Sequence, residues 1–280
     1  MGVSVFDPRP CDLGEGPLWH PTRAQLFWFD INGHRMMTSG GEWQFDRPVS
    51  AAGWIGDDSL LIATDRDLIQ FDIESGAVAQ IAPLEADNPV TRSNDGRADP
   101  WGGFWIGTMG KAAEPGAGAI YRYFLGELRQ LFPAITIPNA ICFSPDDSHA
   151  CFADTARGIV WRQALAPKDG WPVGTPEIYL DHGHRGPNPD GAVIDAAGNF
   201  WCAEWGSARV RCYAPSGAVL RDIALPVSQP SCPAFGGSDL YITTAREGLS
   251  EEALAEEPLA GQVFVARDIA PGQSEHKVIL

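Results

Sequence analysis

Pro138-Asn139-Ala140-Ile141-Cys142-Phe143-Ser144-Pro145-Asp146 opens on a lone carboxamide, continues as an apolar strand and stops at a Pro-Asp turn. A second apolar run follows at Ala150-Cys151-Phe152-Ala153, and an alternating third at Ile159-Val160-Trp161-Arg162. Three short β-rich runs separated by turn residues make an antiparallel meander. A buried carboxamide left without a partner costs about 1 to 3 kcal/mol. Asn139 therefore caps a turn, joins a backbone network, or faces a ligand or a metal.

The rest of the chain repeats this plan. Central runs recur at Leu26-Phe-Trp-Phe29, Leu60-Leu-Ile-Ala63, Phe104-Trp-Ile-Gly107, Ala150 to Ala153, Phe200-Trp-Cys-Ala203 and Leu240-Tyr-Ile-Thr243. Their spacing of about 34 to 50 residues is that of propeller blades. Gly-, Asp- or Ser-bearing turns precede them, and alternating runs such as Leu68 to Phe71 and Val210 to Tyr213 follow. Six such meanders predict an all-β, six-bladed β-propeller, a single domain spanning 1–280. A ring must hide its last edge, so the segment Gly2 to Phe6 is expected to pair with the C-terminal blade. One helix is expected after Ser250, a suitable N-cap, as an insertion in that blade.

Composition narrows the function classes. A net charge of −16 repels nucleic acid and anionic membranes. No run approaches the roughly 20 apolar residues of a membrane span, and Met1 to Pro8, without a basic flank or an apolar run, is not expected to act as a signal peptide. The expectation is a soluble, cytoplasmic protein, monomeric or weakly homo-oligomeric, with neither nucleic acid nor membrane as partner. The 6 cysteines form no C-x-x-C pair and sit within apolar runs, which favours buried free thiols over zinc or disulfides.

The opening residues of the innermost strands carry the chemistry. Reading one per blade gives Glu15, Gly53, Asn94, Asn139, Asp190 and Cys232. Taken singly, Asn94-Asp95-Gly96 and Asp190-Gly191 are ordinary turns, and Glu15 between glycines is an ordinary loop. Taken together, their equivalent positions aim two carboxylates and two carboxamides at one axial point. Oxygen donors of this kind suit one divalent cation, Ca²⁺ first, with Mg²⁺, Mn²⁺, Zn²⁺ and Fe²⁺ also compatible.

Gly14-Glu15-Gly16-Pro17-Leu18-Trp19, Arg92-Ser93-Asn94-Asp95-Gly96, Phe104 to Met109, Pro138-Asn139-Ala140 with Ser144-Pro145-Asp146, and Pro189-Asp190-Gly191 resemble the signature motifs of the gluconolactonase/regucalcin (senescence-marker-protein) family. The resemblance runs over essentially the whole chain. It implies a six-bladed propeller that holds one divalent cation and hydrolyses sugar lactones. Residue by residue, it implies Glu15, Asn139 and Asp190 as metal ligands, and Arg92, Asn94 and Glu114 at the substrate.

Lactone hydrolysis needs a polarised carbonyl, an activated water and help for the leaving alkoxide. Asp190 is the expected general base, or only a ligand. No G-x-S-x-G elbow is present, which argues against a covalent acyl-enzyme. His182-Gly-His184 reads as surface lining, and Trp19, Trp105 and Trp205 as blade packing. Two other readings stay open: a calcium-dependent phosphotriesterase and a non-enzymatic calcium-binding regulator.

Overall fold

A computed structural model describes residues 2–280. The strands form six four-stranded antiparallel sheets, each a meander of consecutive strands save the last. Blades one to five begin with the inner strands Gly14–His20, Val49–Gly56, Thr91–Ala98, Pro138–Phe143 and Asn188–Ile194. Blade six begins with Pro230–Gly236 and is completed from the other end of the chain. Val3–Asp7 pairs antiparallel with Val263–Ala266 and covers its edge, as expected. Neighbouring inner strands contact one another around the ring, including those of blades one and six.

The second strand of each blade lies between two neighbouring blades, so both its faces are buried. That is why these strands read as continuous apolar runs rather than alternating ones. Phe27, Trp28 and Phe29 alternate between the two faces and are all fully buried. Phe27 and Phe29 pack with Leu60, Ile62 and Phe71 of blade two. Trp28 packs on the other side with Tyr241 and Val265 of blade six. Comparable apolar layers separate the remaining blades. Each buried aromatic or aliphatic side chain contributes about 1.5 to 3 kcal/mol, so the inter-blade layers carry most of the stability.

All six cysteines are buried and free. The helix Glu251–Glu256 lies between the second and third strands of blade six, with Ser250 Oγ accepting from the Ala253 amide at 3.2 Å. Among the described residues no helix is long and apolar enough to cross a membrane.

The two ends of the central channel differ. Inner strands begin at one mouth, where the loops leave a cavity of about 400 Å³. At the opposite mouth the segment 271–279 runs across the ring as a strap. Gln273 Nε2 donates to the carbonyls of Phe143 (3.0 Å) and Ile194 (2.8 Å), from blades four and five. Glu275 pairs with Arg97 of blade three, and its carbonyl accepts from Trp54 Nε1 at 3.0 Å. The amides of Val278 and Ile279 donate to Trp54 (2.9 Å) and Gly102 (2.8 Å).

Candidate active site

Each inner strand loses its regular register near its start. The pairing skips between Glu15 and Leu18, Val49 and Ala51, Ser93 and Gly96, Asn139 and Cys142, Pro189 and Ala192, and Pro230 and Cys232. A bulge leaves a residue outside the ladder and twists the strand, which re-aims the side chain there. Here it turns polar side chains toward the axis. In two blades the residue after the polar one is left-handed: Gly16 at φ 52° and Ala140 at φ 57°. At Gly16 the fit is tight as well, since a Cβ would strike the Ser50 carbonyl.

Glu15, Asn94, Asn139 and Asp190 are all buried, and with Arg92 they line the cavity. Asn94 Nδ2 donates to Asn139 Oδ1 and to the Pro138 carbonyl, both at 3.0 Å. Asn139 Nδ2 donates to Thr155 Oγ1 at 2.8 Å, and Thr155 Oγ1 donates to the Pro189 carbonyl at 2.6 Å. Arg92 Nη1 donates to Asn94 Oδ1 and to the Ser93 carbonyl, both at 2.8 Å. A chain of hydrogen bonds thus links blades three, four and five, and it leaves Asn139 Oδ1 one lone pair to spare.

The carboxylates have no such partners. Burial and the nearby Asp95 push the Glu15 carboxyl up to about 8, against the Gly16 amide, which donates to Oε2 at 3.0 Å. Burial, with Glu15 and Asp95 adding repulsion, raises Asp190 well above the carboxylate range. Neither Glu15 nor Asp190 forms a salt bridge among the described residues. Two buried acids that form no salt bridge, with Arg92 the one charge nearby that offsets Glu15, favour either a proton or a cation between them. With the Asn139 oxygen they offer an all-oxygen donor set that fits a hard divalent cation completed by water or substrate. No group of three or more His, Cys, Asp or Glu residues capable of holding a metal occurs among the described residues, so any such set must include the carboxamide.

Several expectations need revision. Gly53 does not open its strand at this mouth; a Cβ there would meet Val278 of the strap, at the opposite end. Ser50 occupies the bulge in blade two and donates to Ser93 Oγ at 2.8 Å. In blade six the polar residue is Ser231, which donates to the Gly14 carbonyl; Cys232 follows it and faces Gly191. Glu114 does not line the cavity. Its Oε2 folds back to accept from the Ala112 amide at 3.1 Å, and Lys111, Ala112 and Ala113 form the wall instead. Trp205 packs on Leu13, Ile31 and Ala245 and lines the cavity as well, while Trp105 is fully buried and Trp19 stacks on Tyr241 at 5.3 Å.

Sequence reasoning also missed Asp95 and Glu247. Asp95 is buried below the site and accepts from the Ile141 amide at 2.7 Å; burial pushes its carboxyl up to about 6. Its neighbour Asn94 was legible because a polar residue recurs there in other blades, but strand alternation would turn Asp95 away. The bulge at Ser93 to Gly96 puts both residues inside. Glu247, on a loop of blade six, lines the cavity rim and had no periodic signal.

A ring of six four-stranded blades, with a polar well at one mouth built from bulged inner strands, defines a six-bladed β-propeller with a polar cavity at one end. The family description "SMP-30/Gluconolactonase/LRE-like region" matches residues 13–246, and the chain belongs to that family. An L-arabinolactonase of Azospirillum brasilense is 37% identical, over 91% of this chain and 88% of its own length. A 6-deoxy-6-sulfogluconolactonase of Pseudomonas putida is 34% identical, over 95% of both chains. The solved structure of a calcium-binding protein, regucalcin, from Agrobacterium tumefaciens superposes with a TM-score of 0.97 at 38% identity, covering 100% of this chain and 98% of the other.

Proposed function

We propose that this protein hydrolyses a sugar lactone to the aldonic acid, with one divalent cation held by Glu15, Asn139 and Asp190. The observation that carries this reading is the pair of buried, unpaired carboxylates beside a carboxamide oxygen, on the wall of a polar cavity in a chain of the lactonase family. The named lactonases among its relatives support the substrate class.

A bound divalent cation supplies electrophilic polarisation of the ester carbonyl. The chain's own residues supply the rest. Asp190 takes the proton of the water whose oxygen bonds to the lactone carbon, and the ring C–O bond breaks toward an alkoxide that recovers a proton. Arg92 spends Nη1 on Asn94 and the Ser93 carbonyl, which fixes its guanidinium plane. Its other nitrogens make no hydrogen bond among the described residues, so they serve substrate hydroxyls. Asn94 holds Asn139 and Arg92 in place and thereby orients both.

The test is a pH-indicator assay over glucono-, galactono-, xylono- and arabinonolactones. It is run after chelation and again after adding back Ca²⁺, Mn²⁺, Mg²⁺, Zn²⁺ or Fe²⁺. Turnover of at least one lactone that vanishes on chelation and returns with a cation is expected. Cation binding without turnover of any lactone would leave an ion-binding protein and defeat the proposal; an aryl phosphotriester in the same panel separates the phosphotriesterase reading.

A further inference from the structure

Glu247 lies on the loop that follows the second strand of blade six, one residue beyond the family match. Though exposed, it is held firmly. Its amide donates to the Asp12 carbonyl at 2.9 Å, and its own carbonyl accepts from Gln229 Nε2 at 3.2 Å. Its carboxylate accepts from Asn32 Nδ2 at 3.1 Å, and the same amide group binds Asp12 Oδ2 at 2.7 Å. A rim acid anchored through its backbone on both sides presents a charge of fixed position to the cavity it lines.

In a six-membered ring blade six stands opposite blade three, which contributes both cations of the cavity wall, Arg92 and Lys111. Each of them has acids around it. Lys111 Nζ lies 3.6 Å from Asp65 Oδ2. The half-buried Arg92 forms no salt bridge among the described residues, and it shares the cavity wall with Glu247, Glu15 and Asp190, which all favour its charge. The remaining acids, Glu15 and Asp190, are those assigned to the divalent cation. Of the acids lining the cavity, Glu247 alone is left to face the substrate across from Arg92.

We propose that Glu247 is a specificity-determining residue that admits neutral polyhydroxy lactones and turns away lactones bearing a second anionic group, a carboxylate or a sulfonate. This rests on the lactonase reading of the same cavity. A carboxylate accepts hydrogen bonds from sugar hydroxyls and offers an anion only repulsion, so one side chain both attracts the one class and rejects the other.

The experiment compares wild type with Glu247→Gln on glucono-1,4-lactone and glucaro-1,4-lactone, which share a ring and differ by a terminal carboxylate. Glutamine keeps an oxygen for Asn32 and removes the charge. The ratio of kcat/KM values is expected to shift about tenfold toward the anionic lactone at low ionic strength. Wild-type discrimination should also relax as salt is raised to about 0.5 M, where the Debye length falls to a few ångströms, while that of the variant stays flat. An unchanged ratio, including equal losses on both lactones, would overturn the assignment. A calorimetric arm needs no turnover: wild type should bind 1,5-anhydroglucitol in preference to glucuronate, and Glu247→Gln should lose that preference. If no lactone is hydrolysed, the lactonase reading fails on the first assay, and the binding arm alone decides whether Glu247 sorts ligands by charge.

Discussion

The two mouths of the channel are built from the same inner strands, yet they treat buried charge in opposite ways. At the strapped end Arg97 meets Glu275, and Arg97 Nε also donates to the Ile141 carbonyl at 3.2 Å. Gln273 satisfies two more carbonyls, and little space remains. At the open end Glu15 and Asp190 are more deeply buried and form no salt bridge among the described residues, at a cavity of about 400 Å³. Where a fold has only to be stable, buried charges are paired. Where they stand unpaired at the bottom of a well, they offer the donor set that the proposed cation would complete. The contrast separates residues that maintain the ring from residues that act.

The widest separation is expected from substitution at the open end. Asp190→Ala should lower kcat/KM by about a thousandfold or more while leaving the urea midpoint nearly unchanged, because the proposed general base and ligand is removed without opening the core. Turnover within tenfold of wild type would dissolve the contrast.

Substitution at the strapped end should behave the other way round. Glu275→Ala strands Arg97, a change expected to cost about 3 kcal/mol of unfolding free energy, read from denaturant titration. Activity at saturating substrate should stay within about threefold of wild type, since the ion pair lies remote from the reacting atoms. Loss of activity with unchanged stability would show that the strap acts on the site.

The last test of the contrast is the pH dependence of the chelated protein. Glu15 ordinarily titrates at 4.5 and is pushed up to about 8 in the folded chain, so the folded state binds the extra proton between those values. Stability should therefore fall as pH rises from about 4.5 to 8. Glu15→Gln should flatten that slope, and a bound cation should abolish it. A melting temperature that climbs through this window in chelated wild type would contradict the assignment of Glu15 as an unpaired acid.

Much of this was legible in the sequence because of burial on two sides. The run Leu26 to Phe29 reads as apolar throughout since each blade is sandwiched, and its recurrence counts the blades. Glu15, Asn94, Asn139 and Asp190 stood out as polar residues at matching places in that repeat. Asp95 did not, because alternation hides an inward neighbour unless the bulge is known. Ser50 and Ser231 were passed over for Gly53 and Cys232, since the point at which a strand slips its register leaves no compositional mark. Glu114 and Glu247 sit on loops whose course depends on local turns. The strap from 271 to 279 carries no period, as it pairs with carbonyls of several blades rather than with one strand.

The closure of blade six by Val3–Asp7 has a consequence for how the molecule is made. That strand is synthesised before the partner it needs, Val263–Ala266, and waits while five blades assemble. Ring completion is then a late, long-range event, slow because a very large loop must be closed before the contact is rewarded. Meanwhile Val3-Ser4-Val5-Phe6 is a sticky β segment in search of an edge, and Asp7 and Pro8 immediately after it act as gatekeepers against pairing with another nascent chain.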